Sequence, residues 1–447
     1  MNNTISQPQT RLKFIGTNLL PMKTFLIVWI GQVISLLGSS MTGFALGVWI
    51  FQQTGSVFSF ALTLLFNMLP KALISPYAGV LADRLDRRRI MMLTDLVAGI
   101  ATMTAAFLYI SGGLSTWHIY LLTAVNAGAS AFQNPAFSAS VTQLVPKTQY
   151  GRANGLIQLG QGLGQVIAPV MAGTLIGILG LGSVLVIDLL TFLIAILTLL
   201  AIRFPVTPAG TETSLKRDDT WFAELNQAIG YLSARPGLLG LMLAFTLVNF
   251  FVGTAEAVLT PMVLSFTTPD KLGLILTTGG VGMLFGSVAM TVYGGGRRKA
   301  YAAFGAYTLM GFAVLTAGLK QSVLLISVAV FMAFFALPTV MGASQAIFQV
   351  KVSPKIQGRV FGLRIFLNTI SFALAYLAGG YLAEALFEPA MGVGGLLADM
   401  VGRFLGIGPG RGIGLMFVLM GFLAIVSALG AFAHPRIRRV EIELPDN

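Results

Sequence analysis

Long apolar runs, separated by short charged or glycine- and proline-rich turns, make up most of this chain. Each run has about twenty residues or more, which is the length that an α-helix needs to cross the hydrocarbon core of a bilayer. A helix satisfies its own backbone hydrogen bonds, so it is the form that such runs take inside a membrane. The sequence therefore predicts twelve transmembrane helices, near residues 25–51, 57–82, 90–111, 117–144, 153–179, 181–202, 237–265, 271–293, 301–319, 322–349, 360–387 and 412–433.

Charged side chains make up 10% of the 447 residues and hydrophobic ones 55%. A water-soluble fold needs about 25% charged residues, so the predicted fold class is an all-α polytopic membrane protein in contact with the lipid bilayer. The net charge of +12 does not indicate a nucleic-acid partner. The lysines and arginines fall in short clusters between apolar runs and form no continuous basic face.

The chain has no cysteine and only two histidines, His118 and His434. Disulfides, thiolate metal sites and cysteine nucleophiles are therefore excluded, and so is a metal centre built from imidazoles. The sequence also lacks a glycine-rich phosphate loop ending in Lys-Ser or Lys-Thr, which disfavours ATP as a driving force. We expect no metal, no cofactor and no enzymatic activity.

The basic residues predict the orientation of the helices. Cytoplasmic segments of membrane proteins carry an excess of lysine and arginine. With a cytoplasmic N-terminus, the 28 basic residues all fall on the cytoplasmic side except Lys71, Lys271, Lys320, Arg364, Arg403 and Arg411. Both termini are therefore expected in the cytoplasm.

The longest polar stretch divides the chain into two sets of six helices. We expect a cytoplasmic tail (1–24), an N-terminal bundle (25–202), a linker (203–236), a C-terminal bundle (237–433) and a second tail (434–447). Within the linker, Trp221, Leu225, Ala228 and Leu232 recur at helical spacing, which predicts an amphipathic helix. That helix either lies at the cytoplasmic surface of the membrane or packs on the protein.

The two sets of helices repeat one another. Gly151, Arg152, Gly155 and Leu156 each have a match 207 residues later, and Gly173 is matched by Gly380 at the same offset. The basic cluster 87–89 has a counterpart at 297–299, but no acidic residue accompanies that counterpart. Internal repeats of this size predict a two-lobed transporter with a central site.

Residues 79–89, the most charged turn of the chain, resemble the loop between helices two and three of the major facilitator superfamily, Gly-x-Leu-Ala-Asp-Arg-x-Gly-Arg-Arg/Lys. The residues that match are Gly79, Leu81, Ala82, Asp83, Arg84, Arg87 and Arg88. Asp86 replaces the usual glycine, as in the drug/proton antiporter branch with its macrolide and siderophore exporters. That branch is also similar in Asn134-Pro135-Ala136, Arg152-Ala153-Asn154 and 408–412.

The resemblance implies twelve helices in two pseudo-symmetric halves, in the bacterial plasma membrane. It also implies export of a small amphipathic compound, such as a drug, antibiotic, siderophore or other secondary metabolite, by proton antiport with alternating access. The charged turn would then act as a conformational latch, together with Asp95. The alternative is a solvated turn whose arginines only set the topology.

Helix five carries a second motif, Gly155, Gly164, Pro169 and Gly173, which resembles the antiporter motif of the superfamily. Glycines let helices approach closely, and a proline removes one backbone hydrogen bond and allows a bend. The motif favours the export interpretation, and ordinary close packing is its alternative.

Charged residues inside the spans need a partner or a function, because each costs about 2.5–3.5 kcal/mol near the bilayer centre. Glu256 is the leading proton-coupling candidate, and Lys71 and Asp188 are further ones. Lys71 either pairs with Glu256 or has a structural role. Asp95 is expected in a charge network with the arginines of the cytoplasmic turn, and Arg364 is expected to reach the cytoplasmic headgroups.

In the resembled fold, helices one, four, seven and ten line a central cavity. The substrate-contact candidates are Trp29, Asn126, Asn249, Phe250 and Gln345, within a wider set that includes Asn67, Asn134, Trp49 and Phe334. The expected partners are a small-molecule substrate and protons, and the protein is expected to be monomeric. Two alternatives remain open at this point: an uptake permease, and a membrane protein that transports nothing.

Overall fold

The computed structural model describes residues 22–146, 149–202, 221–293, 298–353 and 356–443, and every regular element in these ranges is helical. The twelve long helices are α1 (Lys23–Thr54), α2 (Val57–Arg84), α3 (Arg87–Ile110), α4 (Thr116–Leu144), α5 (Tyr150–Leu179), α6 (Leu181–Ala201), α8 (Pro236–Leu264), α9 (Pro269–Tyr293), α10 (Lys299–Leu319), α11 (Val323–Lys351), α12 (Gln357–Leu382) and α15 (Arg411–Ala433). The short ones are α7 (Trp221–Ser233), a π-helical turn (Ala383–Phe387), α13 (Glu388–Met391), α14 (Gly402–Leu405), α16 (Pro435–Arg438) and α17 (Val440–Glu443).

Eleven of the long helices are apolar enough, in their described residues, to cross a membrane. The twelfth long helix is α4, which is equally long but carries more polar side chains. Three of these, Ser130, Gln133 and Asn134, face a cavity at the centre of the molecule. The lower hydropathy of α4 therefore reflects its position on the cavity wall.

The long helices pack in two groups. In the N half, α1 to α6, α1 packs on α5 and α6, while α4 packs on α2 and α3. In the C half, α8 to α12 with α15, α10 packs on α11 and α15, and α8 packs on α12 and α15. The halves meet along two seams, α5 against α9 and α2 against α12.

The buried apolar side chains show that the halves are joined at one end and separate at the other. At the end where α1 gives way to α2, one cluster contains Val48 and Val57 of the N half together with Val258 and Leu272 of the C half. We call this the closed end. At the opposite end, which carries the basic cluster 87–89, each half has a cluster of its own. We call this the open end.

Glycines bring the backbones together along both seams. A Cβ atom at Gly173 of α5 would lie 2.5 Å from the carbonyl oxygen of Pro269, and Gly273 of α9 faces the carbonyl of Pro169 in return. On the other seam, a Cβ atom at Gly380 would lie 2.7 Å from the Cβ of Ala61. Side chains at these glycines would push the halves apart.

A polar contact also crosses the α2–α12 seam at the closed end. Glu384, in the π-helical turn that follows α12, accepts hydrogen bonds from the Ser56 hydroxyl (2.7 Å) and from the backbone N–H of Phe58 (3.0 Å). The first turn of a helix has unpaired N–H groups and a partial positive charge. A carboxylate of the C half thus caps the N-terminus of α2 in the N half.

The amphipathic helix predicted in the linker is α7, and it packs on the protein. Ala228 and Leu232 are fully buried in the apolar cluster of the C half. Gln227 accepts a hydrogen bond from Arg359 at the start of α12. For Trp221 and Leu225 the structure describes the helical backbone but not the side chains.

The C-terminal segment supplies the acidic residue that the second basic cluster lacks. Glu441 of α17 accepts hydrogen bonds from the backbone N–H groups of Lys299 (3.1 Å) and Ala300 (2.9 Å), and so caps α10. In the N half, Asp86 caps α3 in the same way. Its side chain accepts hydrogen bonds from the backbone N–H groups of Arg88 (2.9 Å) and Arg89 (3.2 Å). No acidic residue lies beside the second basic cluster in the sequence, but the C half obtains an acidic cap from a distant part of the chain.

Candidate transport cavity

A cavity of about 860 Å³ lies between the halves. This volume is at the upper end of the range for small-molecule sites. Helices of both halves line the cavity, and α5 and α9 converge beneath it at the closed end. The cavity is therefore a central site that both halves share.

The two walls of the cavity differ in chemistry. Beside apolar side chains such as Trp29, Phe137 and Phe192, the N half contributes hydroxyl and amide groups, from Ser35, Ser39, Ser40, Ser130, Asn134, Gln161 and Gln165. The C half contributes mostly apolar side chains, from Leu276, Met283, Phe334, Leu337 and Met341. Such a cavity suits a compound with one polar and one apolar face.

Glu256 of α8 faces the cavity from the C half, beside the hydroxyl group of Tyr376. Its neighbours Ala255, Ala257 and Val258 belong to the apolar cluster of the closed end. Glu256 therefore lies at the closed-end floor of the cavity.

Lys71 of α2 lines the same cavity from the N half. In the described part of the chain no ion pair within 4.0 Å joins it to Glu256. The two opposite charges share one cavity without direct contact, so the expected pairing is absent in this conformation.

Asp95 of α3 is 4% exposed and lies on the cavity wall of the N half. Its two oxygens accept hydrogen bonds from Gln32 Nε2 (3.0 Å) on α1 and Gln133 Nε2 (2.9 Å) on α4. The same Nε2 of Gln133 also donates to Gln32 Oε1 (2.5 Å), and Gln133 Oε1 accepts from the Thr94 hydroxyl. The expected network between Asp95 and the arginines is wrong, because the described hydrogen bonds of Asp95 go to amides while Arg87 and Arg88 donate to backbone carbonyls of α4 and α6.

Asp188 of α6 is 1% exposed and is not among the residues that line the cavity. It accepts a hydrogen bond from Thr102 Oγ1 of α3 (2.9 Å) and lies within 3.5 Å of Thr191 Oγ1. Hydroxyl groups thus surround this carboxylate in the packed interior of the N half. Its own side chain does not line the cavity, although Ser39, one of the hydroxyl groups beside it, does.

The charged turn at the open end acts within the N half in this conformation. Arg87 donates to the carbonyl oxygen of Ala139 on α4 (2.6 Å), and Arg88 donates to that of Leu199 near the end of α6 (2.8 Å). Basic groups at a helix C-terminus are favourable because the last carbonyls are unpaired. The surroundings of Gly79 and the side chains of Asp83 and Arg84 are not among the parts of α2 that the structure describes.

The residues of the antiporter motif divide into three positions. Gly164 and Pro169 line the cavity, whereas Gly173 lies in the α5–α9 seam. Gly155 has no heavy atom within 4 Å of the position that a Cβ would take, so close packing does not require a glycine there.

One of the five side chains expected to contact substrate, Trp29, lies on the cavity wall. Its indole N–H donates to the carbonyl oxygen of Leu156 (2.8 Å). The other four lie elsewhere. Asn249 accepts from Tyr307 and donates to Asn368, both at 3.2 Å. Its amide thus joins three helices of the C half.

Gln345 accepts from Arg364 Nη1 (3.1 Å), and Ser344 accepts from Nη2 of the same arginine (2.6 Å). Arg364 therefore points at α11 and not at the headgroups. Asn126 has a buried Oδ1 without a hydrogen-bond partner among the described residues, and Phe250 stands edge-on to Phe251. These four side chains are not among those that line the cavity, because helix rotation, which a single sequence does not reveal, sets the direction of each one.

Gln32 and Gln133 are two of the cavity residues that sequence reasoning missed. Each is a neutral amide, and no charge marked it for attention. The available signal was the uncommonly polar composition of α4 for a membrane span, since polar residues in a span face the interior of the bundle.

The family model of the Major Facilitator Superfamily matches residues 28–376, more than half of the chain. The chain belongs to this superfamily. The superfamily consists of membrane transporters of small molecules, and this protein is one of them.

Curated relatives come from the drug-efflux branch of the superfamily. Macrolide efflux protein A of Streptococcus pyogenes is 26% identical over 373 residues, which cover 83% of this chain and 90% of the relative. Multidrug efflux pump Tap of Mycolicibacterium fortuitum is 23% identical over 356 residues, covering 78% and 86%.

Solved structures have the same fold. A bacterial homologue of the human lysosomal transporter Spinster, in an inward-facing and unoccupied conformation, superposes with a TM-score of 0.71 at 17% identity, over 96% of this chain and 99% of that chain. A bacterial homologue of the iron transporter ferroportin, in an inward-facing state, gives 0.64 at 14% identity, over 92% and 99%.

Proposed function

We propose that this protein exports amphipathic small molecules, macrolides among them, across a bacterial plasma membrane in exchange for protons. The observation that carries the proposal is Glu256, a carboxylate of the C half that faces a cavity whose opposite wall belongs to the N half. The similarity to proteins named for macrolide and multidrug efflux supports the direction of transport. The contrast between the polar and apolar walls supports an amphipathic substrate.

The proposed cycle is alternating access. The open end carries most of the basic residues, and the positive-inside rule assigns such an end to the cytoplasm. Substrate would enter the cavity there, while the α5–α9 and α2–α12 seams hold the closed end shut. Rocking of the halves would then separate these seams and expose the substrate to the exterior.

Glu256 is the proposed proton carrier. A carboxyl group shielded from water is most stable when it is neutral or paired with a cation. In the outward-open state, a proton from the exterior would neutralise Glu256 and replace the substrate. Return to the inward-open state would release that proton into the cytoplasm.

The test is transport of a radiolabelled macrolide in proteoliposomes under an imposed pH gradient. We expect Glu256→Gln to abolish accumulation driven by the gradient and to leave movement down the substrate's own gradient. Asp399→Asn is the matched control, because Asp399 is an exposed carboxylate outside the cavity. It should transport as the wild type does.

The outcomes separate the alternatives. Unchanged proton-driven transport in Glu256→Gln would remove Glu256 from the mechanism. Accumulation in the uptake direction without a proton gradient would favour an uptake permease. No flux of any compound in a panel of amphipathic drugs would contradict the proposed substrate class.

A further inference from the structure

The cluster of Gln32, Asp95 and Gln133 is the one place where a buried carboxylate meets the cavity on the N half, among the described residues. The three side chains come from α1, α3 and α4 and are joined by hydrogen bonds of 2.5–3.0 Å. One amide donor reaches each carboxylate oxygen. A carboxylate oxygen has more than one acceptor position, so each oxygen keeps capacity for a further donor.

No fixed cation neutralises this carboxylate in the described part of the chain. Arg87 and Arg88 reach the backbone of α4 and α6 instead. Lys71 lines the cavity but does not come within 4.0 Å of Asp95. A buried charge without a partner costs several kcal/mol, so this site favours any cation that can enter the cavity.

We infer that Gln32, Asp95 and Gln133 form a recognition site for the protonated amine of an amphipathic substrate. An ammonium group donates up to three hydrogen bonds and can reach both oxygens of Asp95 from the cavity. The two glutamines hold the carboxylate in a fixed orientation, which reduces the ordering that binding requires. This inference rests on the transport function proposed above, and it names the class of substrate.

The surroundings fit the rest of such a molecule. Trp29, Phe137 and Phe192 line the cavity from the N half, on α1, α4 and α6. Aromatic rings attract a nearby cation and also pack against an apolar body. The apolar wall of the C half lies opposite them.

The inference separates two roles between the two halves. Asp95 on the N half binds the charged group of the substrate, and Glu256 on the C half binds the transported proton. Both charges face one cavity from different bundles, so substrate and proton can influence each other without sharing a residue. A neutral analogue would then still be transported, with weaker binding.

The test compares two fluorescent probes with the same aromatic body, pyrenemethylamine, which is a cation at neutral pH, and pyrenemethanol, which is neutral. Binding to the intact protein in lipid nanodiscs is measured by energy transfer from tryptophan to pyrene, with empty nanodiscs subtracted. We expect the wild type to bind the amine at least ~10-fold more tightly, as one charge-assisted hydrogen bond allows. Asp95→Asn should bind both probes equally, at the affinity that the wild type has for the alcohol.

Asp188→Asn is the matched control, since Asp188 is equally buried in the same half but does not itself line the cavity. It should keep the preference for the amine, and so should Asp95→Glu, which retains the charge. Equal binding of both probes by the wild type, or a preference that survives in Asp95→Asn, would overturn the inference. If Asp95→Asn bound neither probe, the inference would also be overturned, because Asp95 would then have a structural role. Binding needs no proton gradient, so this result is independent of the flux experiment on Glu256.

Discussion

Gly173 and Gly380 occupy equivalent positions in the two seams that close the molecule. They are 207 residues apart in the repeated sequence, one on α5 facing Pro269 and the other on α12 facing Phe58 and Ala61. Each brings its helix against the opposite half at the closed end. The internal repeat thus extends to the contacts that hold the halves together.

Replacement of Gly173 by leucine should open the closed end. The new side chain would meet the backbone of Pro269, and overpacking of this kind costs about 1–3 kcal/mol, enough to shift a two-state population by about 5- to 150-fold. The chain has no cysteine, so spin labels can be placed at Gln53→Cys and Thr268→Cys, two exposed positions at this end. The distance distribution between them should move to longer values.

Gly177→Leu is the control for that experiment. Gly177 lies on the same helix and has no heavy atom within 4 Å of the position of a Cβ. An identical shift in both variants would mean that the α5–α9 contact does not hold the closed end.

Glu384→Gln should weaken the closed end through the other seam. An amide accepts hydrogen bonds from Ser56 and the start of α2 less strongly than a carboxylate does, and it no longer favours the positive end of the helix. We expect a several-fold rise in the population with long distances between the same spin labels. Glu388→Gln is the matched control. Glu388 caps α15 within the C half by accepting hydrogen bonds from the backbone N–H groups of Gly410 and Ile413. The control variant should therefore leave the population with long distances unchanged.

Asp86→Ala should lower the thermal stability of the protein. Removal of an N-cap side chain costs typically ~1 kcal/mol, whereas replacement by glycine costs only a few tenths. Asp86→Gly should therefore melt close to the wild type, since glycine is also a good N-cap. This explains why aspartate can stand where the superfamily pattern has glycine. Equal melting temperatures for all three proteins in nanodiscs would contradict the cap assignment.

Glu441→Ala should destabilise the C half. The variant leaves two N–H groups of α10 without their acceptor, which costs about 0.5–2 kcal/mol for a capping side chain. Glu443→Ala, an exposed glutamate two residues on, is the control. Hydrogen exchange of the first turn of α10 should increase in Glu441→Ala and stay unchanged in Glu443→Ala.

The sequence predicts the helices well because hydrophobic length alone determines a membrane span. It also predicts that Glu256 and Lys71 share one environment, since charges inside spans avoid lipid and face a common interior. For Trp29, the resemblance to a fold whose helix one lines the central cavity predicts a place on the cavity wall, where the structure has it.

The partners of the polar side chains are not predictable in this way. Asn249 has the composition of a cavity residue, yet Tyr307 and Asn368 take up its amide. Asp95 is near the arginines in sequence, but the pitch of α3 turns it toward α1 and α4. The partner of each polar side chain depends on the rotation of its helix within the bundle. A helix that is apolar on all sides has no hydrophobic pattern from which this rotation can be read.

The cap on α10 has a consequence for biosynthesis. The residue that completes the N-terminus of this helix lies 142 positions further along the chain, whereas Asp86 caps α3 from the adjacent turn. The cap of α3 can therefore form as soon as its own turn has been made. The cap of α10 must wait for Glu441 to emerge from the ribosome, so the two equivalent caps form at different stages of synthesis.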